Sequence, residues 1–74
     1  MPKRYSSREV LKGLTKSGFL VISQRGSHVK LRGIRNGRIQ TVIVPMHKAI
    51  AVGTFGSILR QADMSHSEFE SFLK

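Results

Sequence analysis

Cysteine and tryptophan are absent from this 74-residue chain, which has only four acidic residues and two prolines. Without cysteine there is no disulfide framework and no thiolate metal site. A chain this short buries only about 60% of the surface it exposes when unfolded, so its core is thin. Long apolar runs are also missing. The stretch at residues 19–22 is among the longest, and a membrane-spanning helix needs about 20 such residues. The opening Met1-Pro2-Lys3-Arg4-Tyr5 leads into a polar run, unlike a secretory leader. A single domain over residues 1–74, in the cytoplasm and off the membrane, is the expectation.

The scarcity of acids has chemical consequences. Two-metal nucleases converge several carboxylates on their ions. Here Glu9, Asp63, Glu68 and Glu70 are the whole supply, and all fall at the starts or ends of expected helices. His28, His47 and His66 show no recognised zinc-ligand spacing. Neither metal nor cofactor is expected.

What the chain has in excess is positive charge. Thirteen Lys and Arg give a formal net charge of +9. A field of that sign favours polyanions, because every phosphate neutralised releases counterions. Self-repulsion for solubility rarely needs so lopsided a balance. An anionic membrane would call for a basic helix with a Trp- or Leu-rich face, which the sequence lacks. Nucleic acid, and RNA in particular, is the expected partner of a chain that is monomeric when free.

Local patterns give the fold. Ser6 and Glu9 have the spacing of a capping box, so a helix should start near Ser7, bury Val10, Leu11 and Leu14, and end at Gly18. Arg8, Lys12 and Lys16 recur at i, i+4, i+8 as a basic stripe roughly opposite the apolar one. Strands are expected over residues 19–25, 28–32 and 38–44, joined by a turn at Gly26-Ser27 and a hairpin over residues 33–37 that contains Asn36-Gly37. Pro45 ends the third. Thr54 reads as the N-cap of a helix with Phe55, Ile58, Leu59 and Ala62 on one face, and Ser65 with Glu68 as the capping box of a last helix. The order α-β-β-β-α-α predicts an α+β fold: a three-stranded antiparallel sheet with helices on one face and the other face open.

On the second strand Val29 and Leu31 alternate with His28, Lys30 and Arg32. The first two should face the helices, which sets His28 on the open face in line with two cations. His28 also follows Gly26-Ser27, where backbone can come close to a phosphate. An imidazole among cations suits phosphodiester chemistry: the cations hold the phosphate and the imidazole moves the proton. RNA supplies its own nucleophile, the 2′-hydroxyl. The plainer reading makes His28 a surface residue that contacts phosphate only. His47, after Val44-Pro45-Met46, reads as a loop residue, and His66 as a solvated residue at a helix start.

These residues together resemble the HicA family of toxins from toxin–antitoxin systems. The opening helix with Ser7-Arg8-Glu9-Val10, the Gly26-Ser27-His28 turn, Val44-Pro45-Met46-His47, and Gly53-Thr54 followed by Ile58-Leu59-Arg60-Gln61-Ala62 match family elements in order. The resemblance implies a fold like the double-stranded-RNA-binding domain, an endoribonuclease activity on mRNA that blocks translation, and a HicB-type antitoxin that covers the active site. It maps the family histidine onto His28 as the catalytic residue. Ser27, Lys30, Arg32, Arg8, Lys12, Lys16 and His47 are the candidates for RNA binding. The chain departs from the family at the largely apolar Lys48-Ala49-Ile50-Ala51-Val52, at Gly56 where a basic residue is common, and at Asp63 where glycine is usual. The alternative from another class is a non-catalytic module for double-stranded RNA or the ribosome, which needs the charge but not the histidine. A DNA-binding regulator is disfavoured, since no helix presents base-reading side chains.

Overall fold

The first helix forms where its cap residues dictate. In the computed structural model, which describes residues 4–74, the Ser6 hydroxyl accepts the Glu9 N–H at 3.1 Å and the Glu9 carboxylate accepts the Ser6 N–H at 3.0 Å. Helix α1 (Ser7–Lys16) follows and buries Val10 and Leu14. It closes at Gly18, whose φ of +109° few other residues adopt. There the Phe19 N–H bonds the Leu14 carbonyl and the Gly18 N–H bonds the Thr15 carbonyl, the paired bonds of a Schellman ending. The chain opening at residues 1–3 lies outside the described residues.

Three strands follow in the order β1 (Leu20–Arg25), β2 (His28–Arg35) and β3 (Arg38–Pro45), each antiparallel to its neighbour. Asn36 and Gly37 both have positive φ, 52° and 77°, as the two-residue type I′ turn requires. The second strand is longer than expected. The hairpin anticipated over residues 33–37 is confined to Asn36-Gly37, and Gly33, Ile34 and Arg35 continue the strand. Gly33 is a site of close approach, not a turn: a Cβ there would sit 2.8 Å from Cγ of the buried Phe19 ring.

Val29, Leu31, Val42 and Val44 face inward and are buried with Val10 and Leu14 of α1, Phe55, Ile58 and Leu59 of α2 (Val52–Ala62), and Phe69 of α3 (His66–Leu73). The expectation of α+β layers with one open sheet face holds. Helix α2 starts two residues before the cap expected at Thr54. Ala51 occupies the N-cap position with no side-chain hydrogen bond, and the first turn closes by the Phe55 N–H reaching the Ala51 carbonyl at 2.9 Å. Ile50, in the unusual apolar run, is fully buried, whereas Ala49, Ala51 and Val52 are exposed.

Two contacts tie the far hairpin to the last helices. Asp63, left-handed at φ 53°, ends α2 in the conformation usual for glycine. Its carboxylate accepts from the Asn36 amide at 2.6 Å, which is the local use of an acid at this position. Arg35 donates to the Glu68 carboxylate at 2.7 Å. The Ser65 backbone N–H first, and Arg35 after it, hold the Glu68 carboxyl down to about 2. Within the core, the rings of Tyr5, Phe55 and Phe69 meet with centroids 4.9 to 5.3 Å apart. His66 is exposed as expected, yet its ring also stands edge-on to Phe55 at 5.4 Å.

Candidate functional site

Cross-strand register fixes what the open face presents, because directly paired residues in antiparallel strands point the same way. Arg25, His28 and Pro45 form one row across the sheet; Ser23, Lys30 and Ile43 form the next. Leu20, Arg32 and Thr41 make a third, and Ile34 pairs with Ile39 in a fourth. Ile22 is the additional residue of a bulge between Val21 and Ser23. That bulge turns Ser23, rather than Gln24, onto the face that carries Lys30.

His28 and Lys30 line a cavity of about 380 Å³ together with Ser23, Gln24, Arg25 and Ile43. Its polar lining is cationic or neutral. The four acids are all engaged elsewhere: Glu9 in the α1 cap, Asp63 with Asn36, Glu68 with Arg35, and Glu70 as a hydrogen-bond partner of the Tyr5 phenol. Burial, with the Glu70 charge behind it, pushes the Tyr5 phenol upward. An anion entering the cavity therefore meets guanidinium, ammonium and imidazole with no carboxylate opposing it, and Arg32 stands one row further along, 3.4 Å from the Thr41 hydroxyl.

The turn before His28 is anchored by a residue whose role the pattern reading missed. Ser7 is 2% exposed. Its hydroxyl lies 2.6 Å from the Pro45 carbonyl and 2.9 Å from the His47 carbonyl, and it accepts the His47 N–H. The Ser7 N–H also reaches the His47 carbonyl at 3.0 Å. One residue earlier, the Met46 N–H bonds the Ser27 carbonyl at 2.7 Å. The turn that presents His28 is thus fastened through residues 45–47 to the start of α1.

The eight residues singled out from sequence divide into two surfaces. His28, Lys30 and Arg32 share the open face, with Ser27 in the adjoining turn. Arg8, Lys12 and Lys16 are exposed along α1, on the helix side of the sheet, and His47 lines a separate cleft with Ser6, Ser7, Arg8, Met46 and Lys48. The structure does not bring His47 or the α1 stripe into the His28 cavity. Conversely, Ser23, Gln24 and Arg25 line that cavity without having been singled out. For Arg25 the signal was available, since residues flanking a two-residue turn face each other.

No helix among the described residues is long and apolar enough to cross a membrane. No curated protein matches the chain. A family model, that of the HicA toxin of bacterial toxin–antitoxin, matches residues 7–64. The matched span runs from Ser7 through the whole sheet, the His28 turn and α2 to Met64. Such toxins come paired, so membership implies a HicB-type antitoxin partner. With the motif order, the element order and the matched span in agreement, the chain belongs to the HicA toxin family.

Proposed function

We propose that this toxin is a metal-independent endoribonuclease that cleaves mRNA through the RNA 2′-hydroxyl, with His28 as general acid–base, and so stops translation. The observation that carries the reading is the position of His28 at the rim of a cavity shared with Arg25 and Lys30 and free of carboxylates. In this scheme neutral His28 takes the 2′-hydroxyl proton as the 2′-oxygen bonds to phosphorus. The bond from phosphorus to the 5′-oxygen breaks, and the leaving oxygen receives a proton from the imidazolium. The products are a 2′,3′-cyclic phosphate and a free 5′-hydroxyl. Arg25 and Lys30 hold the non-bridging oxygens, whose charge grows in the transition state, while Ser27 and Arg32 position the flanking chain. The element order, similar to that of the double-stranded-RNA-binding domain, and the net charge of +9 support RNA as substrate.

Purified protein incubated with a defined RNA in excess EDTA, beside His28→Ala and Arg25→Gln, tests this. The expected result is cyclic-phosphate ends from wild type, a rate about 10²- to 10⁴-fold lower for His28→Ala, and RNA affinity retained. Undiminished cleavage by a folded His28→Ala protein would sink the assignment. One observation favours a second reading, a non-catalytic RNA-binding module: the stripe of Arg8, Lys12 and Lys16 lies apart from His28 and needs no histidine to hold phosphate. In that case neutralising Lys12 and Lys16 weakens RNA binding and toxicity together, while removing His28 changes neither.

A further inference from the structure

The two halves of the open sheet face differ in chemistry. Around His28 the side chains are mostly cationic or polar, with Ile43 and Pro45 the apolar ones. At the hairpin end, Leu20, Ile34 and Ile39 are 70%, 72% and 70% exposed and line a shallow hollow with Gly18, Gly33 and the stem of Arg32. Ile34 and Ile39 are direct cross-strand partners, and Leu20 stands in the neighbouring row. Three aliphatic side chains this exposed, adjacent and on a flat face, form a patch of the kind that marks a protein contact.

We infer that this aliphatic corner is the anchoring surface for the antitoxin, separate from the cations that hold RNA. Three features of the chain choose among occupants. RNA is a poor fit at this corner, because base recognition by a sheet face relies on stacking and Leu20, Ile34 and Ile39 offer no ring to stack on, the imidazole of His28 lying at the other end of the face. A second copy is a poor fit, because apposing two open faces brings Arg25, Lys30 and Arg32 of one +9 chain against those of another. A protein with aliphatic groups at one end of its contact surface and carboxylates at the other fits both halves at once. The separation makes such a partner an inhibitor. At about 3.3 Å per residue, Ile34 lies about 20 Å along β2 from His28, so a folded domain seated on the corner and reaching the cations spans the whole face and shuts RNA out. The aliphatic part contributes little salt dependence, unlike the phosphate contacts of RNA.

The inference rests on the toxin–antitoxin pairing of the family and not on the cleavage reading, so its test measures binding alone. The cognate HicB-type antitoxin is titrated against wild type and against Ile34→Ser/Ile39→Ser, and a fluorescent RNA hairpin against the same two proteins. Loss of two buried aliphatic contacts lowers antitoxin affinity by about 100-fold, roughly tenfold for each, while RNA affinity stays within about twofold of wild type. An Ile34→Thr/Ile39→Thr protein, which keeps strand propensity, gives the same separation and removes misfolding as a cause. Unchanged antitoxin affinity in both doubles overturns the inference. So does a parallel fall in RNA affinity, or a wild-type dimer in light scattering that either double variant dissolves.

Discussion

Replacing Ser7 with alanine removes one oxygen from a point where three backbone groups converge. In the native chain the hydroxyl accepts the His47 N–H and stands within hydrogen-bond reach of the Pro45 and His47 carbonyls. Ser7 is itself buried, and an alanine methyl there offers neither a donor nor an acceptor in its place. The His47 carbonyl keeps its bond from the Ser7 N–H, but the His47 N–H loses its acceptor and the Pro45 carbonyl its donor. An unsatisfied buried group of this kind costs about 1–3 kcal/mol, and about 2 kcal/mol is a fair figure for the variant. Against a total of about 4–11 kcal/mol for a domain of this size, that loss is severe. With a urea m-value of about 1 kcal/mol/M, the midpoint falls by roughly 2 M at unchanged m, and the thermal midpoint by about 8–16 °C. The same clamp fastens the Ser27 turn through Met46, so under the proposed endoribonuclease function RNA cleavage should suffer beyond what unfolding explains. Cleavage at a temperature where the variant is fully folded is expected to fall about tenfold, an effect of misplacing His28. A Ser7→Ala midpoint within about 0.3 M of wild type would refute the reasoning, since it would mean that the buried groups find other partners.

Two further perturbations follow from the same coordinates. Gly33→Ala should destabilise by about 1–3 kcal/mol in a urea titration, because its Cβ meets Phe19 at 2.8 Å from Cγ and 3.1 Å from the Cα, and a backbone atom cannot swing aside; an unchanged midpoint would show that Phe19 repacks freely. The Glu68 carboxyl, held at about 2 against an ordinary 4.5, gives stability that is complete above about pH 5 and drains away as pH falls from there toward 2. Glu68→Gln should therefore be less stable than wild type at pH 7 and lose less of its stability between pH 5 and 2; parallel curves for the two proteins would contradict this.

How much of this was legible beforehand differs by feature, for physical reasons. Both capping boxes were readable because the reciprocal bonds need only two residue types at fixed spacing, and Ser6 with Glu9 and Ser65 with Glu68 satisfy it. The alternation that buried Val29 and Leu31 and turned His28, Lys30 and Arg32 to the other face, with Lys30 half-buried there, was equally local. Gly33 misled because glycine marks turns and close approaches alike, and only the distant Phe19 decides between them. Thr54 misled because a good cap residue three positions into a helix looks the same as one at its start. The Ser7 clamp joins residues 38 and 40 positions apart, beyond any spacing rule. Asp63, unexplained by sequence, is accounted for by Asn36, 27 residues away. Arg25 was within reach through its place beside a two-residue turn, but Ser23 was not, because the bulge at Ile22 reverses the strict alternation along β1.

That bulge also bears on how the chain survives before a partner reaches it. Leu20, Val21 and Ile22 are three consecutive exposed aliphatic residues on a border strand, the composition that seeds intermolecular sheet growth and fibres. An irregular strand offers a poor template for a straight incoming one, and the cationic Arg25 closes its end. On the opposite border, Gln61 of α2 already occupies the outward N–H of Ile43 at 2.9 Å. Both rims of the sheet are thus blunted, one by backbone irregularity and one by a side-chain amide. A toxin freed from its antitoxin can then remain dispersed while its greasiest strand stands in water.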